Sequence, residues 1–396
     1  MATVSNNIKK ARRAEKRRMS RFGFFSLGIG IDIPLLIIIL TLLAFGLIML
    51  FSASFAIAYY ETGDSYKYIR QQSIYAAFGL AVMFALSLVD YRNFYRLAWV
   101  VYGVSTIFLL IVLVDTFALS QGVAQRWISL GPISFQPSEL AKFAIIVILA
   151  YLTSKYDGKV KTLKYGVVPC FGVTFITAGL IVAEKHVSAT IIVAILACII
   201  MFIGGIQFRW FAILGGLGTA LLLVVILTTD VFAYVIVRIQ GWLNPFNPPD
   251  GVDTWQTVQS IYAIGSGEIF GVGLGQSRQK YSYLPEAQND FIFSIICEEL
   301  GFIGALLVIG LFIALVWRGM VVSINAKDKF GMLLGLGMTF IVGIQAAFNI
   351  CVVTNAFPNT GITLPFFSYG GTALIVTLGE MGVLLAVSRH SNTEKI

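Results

Sequence analysis

The sequence predicts an all-α polytopic membrane protein, and three observations predict it. Hydrophobic residues make up 58% of the 396, charged residues only 12%, and the mean hydropathy is +0.85; a soluble domain carries about 25% charged residues. Apolar runs that approach or exceed the roughly 20 residues of a bilayer crossing recur ten times. The net charge of +8 is not spread as a nucleic-acid face would be, because eight of the 28 basic residues crowd between Lys9 and Arg21, ahead of the first apolar run. Such a segment reads as a cytoplasmic tail against anionic lipid, so membrane lipids are the expected contact and nucleic acid is not. Disordered, collagen-like and disulfide-stapled classes are excluded by the same composition.

Residues 1–31 are read as the basic tail, 32–388 as the membrane domain and 389–396 as a C-terminal tail. Asp32-Ile33-Pro34 marks the first helix start, since Pro is tolerated in a first turn. That run is too long for the h-region of a cleavable signal peptide and no small-residue cleavage site follows it before the next loop. The expected spans are 33–60, 71–89, 97–114, 143–153, 165–183, 187–208, 210–229, 291–317, 330–355 and 366–388, the fourth extended outward through Lys142 and Glu139. Two loops stand out, 115–137 and the much longer 230–289 between the seventh and eighth spans; loops this long are usually functional. No internal repeat of the transporter kind is evident.

Counting Lys and Arg on alternate sides puts 20 on the side of the N-terminus and 8 on the other. The positive-inside bias then places both termini in the cytoplasm of a multi-pass protein of the cytoplasmic membrane, with both long loops outside. Cys170, Cys198, Cys297 and Cys351 lie inside apolar runs without metal-ligand spacing, and His186 and His390 are the only histidines, so no Cys or His metal centre is expected.

Charges at membrane depth are costly and are therefore the candidates for chemistry. Glu139 and Lys142 are three apart on one helix face and can pair, either as a structural bridge or as the lining of a polar cavity. Asp290 stands where the long loop enters the eighth span, where it can be a helix N-cap, a carboxylate base, or both. Glu298 and Glu299 lie about 12 and 13 Å deeper along an ideal helix and point elsewhere. Glu380 reads as a side chain snorkelling to the inner surface, and His186, in a tight turn, as structural. The glycines at 265, 267, 271, 273 and 275 do not have the G-x-G-x-x-G spacing of a nucleotide loop; they read instead as a segment whose backbone can approach a lipid headgroup closely.

Three motifs carry a resemblance: Gln125-Arg126-Trp127-Ile128 with Gln136-Pro137-Ser138-Glu139-Leu140-Ala141-Lys142; Leu284-Pro285-Glu286 through Asp290-Phe291-Ile292-Phe293 to Glu298-Glu299-Leu300-Gly301; and Asn349 with Pro358, Thr360-Gly361 and Leu364-Pro365-Phe366-Phe367-Ser368-Tyr369-Gly370-Gly371. Over nearly all ten spans the chain resembles the SEDS family (shape, elongation, division and sporulation), and within it the division and sporulation branch (FtsW and SpoVE) rather than RodA. The resemblance implies a peptidoglycan glycosyltransferase that polymerises lipid II on the outer face of the membrane, with Asp290 as the essential carboxylate and a class B penicillin-binding protein as partner. It carries substrate-binding roles onto Glu139, Lys142, Arg126, Arg238, Gln256, Gln259, Ser260 and Ser368. Two places depart from the common pattern: Lys185-His186-Val187-Ser188 replaces a Pro-Asp-Leu-Gly segment, and Gln288-Asn289 replaces His-Thr before Asp290.

One carboxylate base suits the implied chemistry, because a sugar pyrophosphate has a good leaving group and needs no protonating acid, unlike glycoside hydrolysis. The charge on the leaving group calls for Arg, Lys or a divalent cation such as Mg or Mn, with Lys142, Arg126, Arg238 and the 265–275 backbone as candidates. Burial or a neighbouring carboxylate is expected to raise Asp290 above the ordinary Asp range. The competing class is a flippase for a lipid-linked sugar, favoured by the Glu139–Lys142 pair and opposed by the gathering of charged candidates on the outer half.

Overall fold

The fold is seen in a computed structural model that describes residues 30–114, 118–121, 124–130, 133–216, 218 and 233–391. Helix α1 (Ile33–Thr62) begins as expected: the Asp32 side chain accepts from the Leu35 amide at 2.9 Å, and Pro34 sits in the first turn. Helices α2 (Lys67–Leu88) and α3 (Arg92–Val112) follow. The first long loop then departs from the all-α expectation, forming an antiparallel sheet of β1 (Ala118–Gln121), β2 (Ala124–Leu130) and β3 (Ile133–Phe135) in that order.

Helix α4 (Pro137–Lys155) opens on its own proline, and a π-helical turn, Leu163–Val167, leads into α5 (Val168–Ala183) and then α6 (Val187–Ile203). The chain is helical again over 208–216, and most of the seventh expected span lies outside the described residues. The second long loop contains α7 (Ala233–Leu243) and α8 (Trp255–Ser266), before α9 (Ile292–Ile324), α10 (Lys329–Val353) and α11 (Gly371–Ser388) complete the fold. Eight helical stretches among the described residues are long and apolar enough to cross a membrane, and α6, at 17 residues, is a shorter apolar one.

Burial decides the layout. Within their most apolar windows 78% of residues are buried in α4 and α11, against 28% in α2 and α3, so the first two form the centre and the second two face lipid. The Asp32 amide donates to Ser388 Oγ at 3.2 Å, which puts the start of α1 and the end of α11 at one end of the bundle. At that end Arg318 grips Asp32 with two hydrogen bonds of 3.0 and 2.8 Å. Asp328 caps α10 there while accepting from the Tyr91 hydroxyl at 2.6 Å.

The segment between α8 and α9 folds into the opposite end. Helix α9 breaks at Gly301, whose φ of 66° and ψ of −165° are non-helical. The break frees backbone groups that must find partners, and the glycine-rich segment supplies them. The amides of Val272 and Gly273 donate to the carbonyls of Glu298 and Glu299 at 2.9 and 3.0 Å, and the Phe302 amide donates to Glu268 at 2.9 Å. A Cβ on Gly271 would lie 2.2 Å from the Glu299 carbonyl oxygen, and one on Gly301 2.3 Å from the Gly271 nitrogen. The glycines thus bring backbone against backbone, correcting the headgroup reading at Gly267 and Gly271. Beyond the break, 302–324 is roughly 34 Å long and can cross a bilayer core on its own.

Candidate functional site

Asp290 is not an N-cap. Phe291 holds that position on α9 and makes no side-chain cap bond, so the carboxylate is left for other work. It stands half-buried at the end of a turn in which the amides of Asn289 and Phe291 donate to the Glu286 carbonyl at 2.9 and 3.4 Å. Two further elements hold this turn. Asn349 of α10 donates to the carbonyls of Asp290 at 2.7 Å and Ile362 at 2.6 Å. From the segment before α11, Ser368 donates to the Asn289 carbonyl at 2.6 Å and accepts from the Leu364 amide at 2.7 Å, while the Tyr369 amide donates to Gln288 at 2.9 Å. Gln72 of α2 adds a bond to the Ser368 carbonyl at 3.1 Å. Ser368 is therefore a positioning group for the Asp290 turn, its hydroxyl engaged on both sides.

The wall facing the carboxylate is backbone. Gly361 has φ of 66°, and a Cβ built there would stand 3.1 Å from Asp290 Oδ2, so the absence of a side chain keeps the carboxylate approachable. One residue earlier, the Thr360 carbonyl accepts from Ser188 at the start of α6. That contact brings in the turn between α5 and α6, where Arg126 of β2 donates to the Lys185 carbonyl at 2.6 Å and His186 Nδ1 lies 3.2 Å from Ser138 Oγ. Glu184 is 1% exposed, and neither carboxylate oxygen has a hydrogen-bond partner among the described residues.

Electrostatics tie these groups into one neighbourhood. Burial pushes the Asp290 carboxyl up to about 6, Glu286 pushes in the same direction, and Arg126 pulls it down. Burial lifts Glu184 to about 8 against the pull of Arg126. Burial, followed by Arg126 and Lys142, holds His186 down to about 3, which makes it a neutral ring at physiological pH.

The remaining sequence candidates divide. Glu139 and Lys142 pair at 2.8 Å with side chains 9% and 2% exposed, and Lys142 also donates to Gln345 Oε1 at 2.9 Å. Glu380 is buried within electrostatic reach of both, so it belongs to this central cluster and does not snorkel. Gln259 and Ser260 are buried, and the Ser260 hydroxyl joins α8 to α9 and α10 through Ser294 at 2.7 Å and the Val353 carbonyl at 2.6 Å. Gln256 accepts from Asn359 at 3.1 Å beside a cavity of about 170 Å³. Arg238 falls on α7, and its side chain lies outside the described residues. Among the described residues no three His, Cys, Asp or Glu side chains converge as metal ligands.

Sequence reasoning missed Lys280, which it counted only as an outer charge. The structure buries it completely beside Glu299 at 2.8 Å, with Ser52 of α1 donating to the same carboxylate at 2.6 Å. The adjacent carboxyl, Glu298, accepts from the Arg278 amide at 2.9 Å and from the Ser277 hydroxyl. Two acids in an apolar helix were the available signal, since buried charge demands a partner.

The FtsW/RodA/SpoVE family model, described as "Cell cycle protein", matches residues 33–393. Stage V sporulation protein E of Bacillus subtilis (strain 168) is 40% identical over 361 residues, covering 91% of this chain and 97% of that protein. The probable peptidoglycan glycosyltransferase FtsW of Trichlorobacter lovleyi is 39% identical over 357 residues, covering 90% and 93%. Among solved structures, a chain from a peptidoglycan synthase complex, a study of coordinated polymerization and crosslinking, superposes with a TM-score of 0.72 at 27% identity over 91% of this chain and 98% of that one. The rod shape determining protein RodA of Thermus thermophilus superposes with a TM-score of 0.67 at 26% identity over the same shares, 91% and 98%.

Proposed function

The chain belongs to the FtsW, RodA and SpoVE family of cell-cycle proteins, and from that premise we propose that it is a peptidoglycan glycosyltransferase polymerising lipid II into glycan strands at the outer face of the cytoplasmic membrane. The observation that carries the residue-level reading is the Asp290 turn, held by α10, by the segment before α11 and by α2, with its carboxylate facing a side-chain-free wall. A base held this rigidly and raised to about 6 is mostly ionised at neutral pH yet more basic than an ordinary Asp.

In this reading Asp290 takes the proton from the acceptor sugar 4-hydroxyl. That oxygen bonds to the anomeric carbon of the donor, and the bond from that carbon to the pyrophosphate oxygen breaks. The lipid pyrophosphate departs with the electron pair, and the configuration inverts. Arg126, which pulls the Asp290 carboxyl down electrostatically, is the cation we assign to the departing charge. A divalent cation such as Mg or Mn, which binds through one or two carboxylates and the substrate phosphates, would be a further means of neutralising that charge. The Glu139–Lys142 pair, sealed against Gln345, supports an enzyme more than a carrier, whose path needs polar groups open to both faces. Both termini are assigned to the cytoplasm, and a class B penicillin-binding protein is the proposed partner for cross-linking, in division or sporulation.

The test is polymerisation of labelled lipid II by the purified protein, alone and with its cognate transpeptidase. Wild type is expected to make long strands, and Asp290→Ala and Asp290→Asn to lose at least about 10²-fold in rate while remaining folded. Polymer from both variants at the wild-type rate would remove Asp290 from the mechanism. No polymer from wild type with its partner present would leave the flippase reading to be tested.

A further inference from the structure

Behind the Gly361 wall lies a cavity of about 170 Å³, between α7, α8 and the segment that precedes Gly361. By volume it has room for about five waters, enough for one ring-sized group. Its walls combine the Trp242 indole with the side chains of Asp253, Gln256, Thr257 and Asn359. Hydroxyls and amides each both donate and accept, a carboxylate accepts, and an aromatic ring offers an apolar face. Together these can read the hydroxyl and acetamido groups of a pyranose, whereas the Asp253 carboxylate disfavours a phosphate.

The cavity is joined to Asp290 by very little chain. Asn359 lines it and bonds Gln256 at 3.1 Å, and Gly361, two residues on, faces the Asp290 carboxylate. Two residues of chain separate their Cα atoms by at most about 7 Å. The intervening Thr360 carbonyl is tied to Ser188 on the side of Arg126 and Glu184. The 359–361 segment therefore contributes to the cavity lining through Asn359, to the Ser188 contact through Thr360, and to the Asp290 carboxylate through Gly361. A second tie holds the cavity's helix to the chain just before the Asp290 turn, since Trp255 Nε1 donates to the Tyr283 carbonyl at 2.9 Å.

We infer that this cavity is a saccharide subsite, holding a neutral N-acetylated pyranose next to the reacting centre, while the pyrophosphate lies on the Arg126 side. The inference rests on the glycosyltransferase reading for the identity of the sugar, which comes from the acceptor lipid-linked disaccharide or from the growing strand.

The direct probe is the disaccharide of N-acetylglucosamine and N-acetylmuramic acid, free of lipid and phosphate, titrated against the full-length protein in detergent with tryptophan fluorescence as readout. Saturable binding is expected to wild type and to Asp290→Asn, whose cavity is intact. Binding is expected to weaken at least tenfold in Asn359→Leu, Gln256→Leu and Thr257→Val. Thr257→Val, which removes one hydroxyl at nearly constant volume, keeps the test decisive where the amide variants fail to fold. In polymerisation assays the same variants are expected to be impaired in the first coupling or in strand extension. A raised KM for that coupling assigns the cavity to the acceptor, and shortened products at unchanged KM assign it to the strand. Wild type that does not bind the disaccharide, or cavity variants that match wild type in both assays, would overturn the subsite. Wild type that binds the sugar through these residues but makes no polymer would keep the subsite and overturn the enzyme reading instead.

Discussion

Removing the ammonium of Lys280 tests whether the buried pair holds the Asp290 segment in place. Lys280 and Glu299 are both 0% exposed and 2.8 Å apart, with Ser52 bonded to the same carboxylate. At an effective dielectric of about 20 their attraction is about 6 kcal/mol, which offsets a desolvation cost of several kcal/mol per ion. The net worth of the intact pair is therefore small, but Lys280→Met strands a carboxylate with no counter-charge and should destabilise by about 3–5 kcal/mol. Lys280→Met with Glu299→Gln removes both charges and should recover most of that loss. The assay is a double-mutant cycle on thermal unfolding of the purified protein in detergent, with lipid II polymerisation measured beside it. Activity should follow the same order, because the clamp anchors the chain ten residues before Asp290. If the double variant is as unstable as the sum of its singles, the two residues do not act on each other and the reasoning is wrong.

The rate of polymerisation should rise with pH through about 6 and level above it, because the base must be ionised; Glu286→Gln should move that limb down, and Arg126→Met should move it up, in pH profiles of kcat/KM. The same raised carboxyl favours the protonated folded state, so its contribution is full below the ordinary Asp value of 3.8 and lost as pH rises through about 6; Asp290→Asn should accordingly melt higher than wild type at pH 7 while being inactive. Asn349→Ala should cost about 10²-fold in kcat with little change in KM, since it frees the backbone of the base without touching its carboxylate; an unchanged kcat would show that the turn holds itself.

Some elements were fully legible in the sequence because their physics is local. Asp32 with Pro34 announced the start of α1, and the i, i+3 spacing of Glu139 and Lys142 announced their pair. Helical periodicity misled at the start of α9, where Asp290 was placed on the helix itself; Phe291 holds the N-cap, and the break at Gly301 lies beyond Glu298 and Glu299, and neither event leaves a periodic trace. The short sheet at β1–β3 was hidden within a loop whose only signal was its length. Glu380 looked like a side chain reaching for water because it lies toward the inner end of the last span, whereas its neighbours in space are Lys142 and Glu139.

By itself the sequence determined the class of the protein, the number and order of most spans, and the carboxylate worth watching, since apolar length and motif spacing are properties of neighbouring residues. Beyond the Glu139–Lys142 pair, tertiary structure alone decided what the buried charges meet. Ser52 and Glu299 are 247 positions apart, and Gln72 and Ser368 are 296 apart. A charge taken out of water must find its partner wherever the fold brings one, and the partners of Glu299 and Glu380 come from elements that only the packed bundle places together.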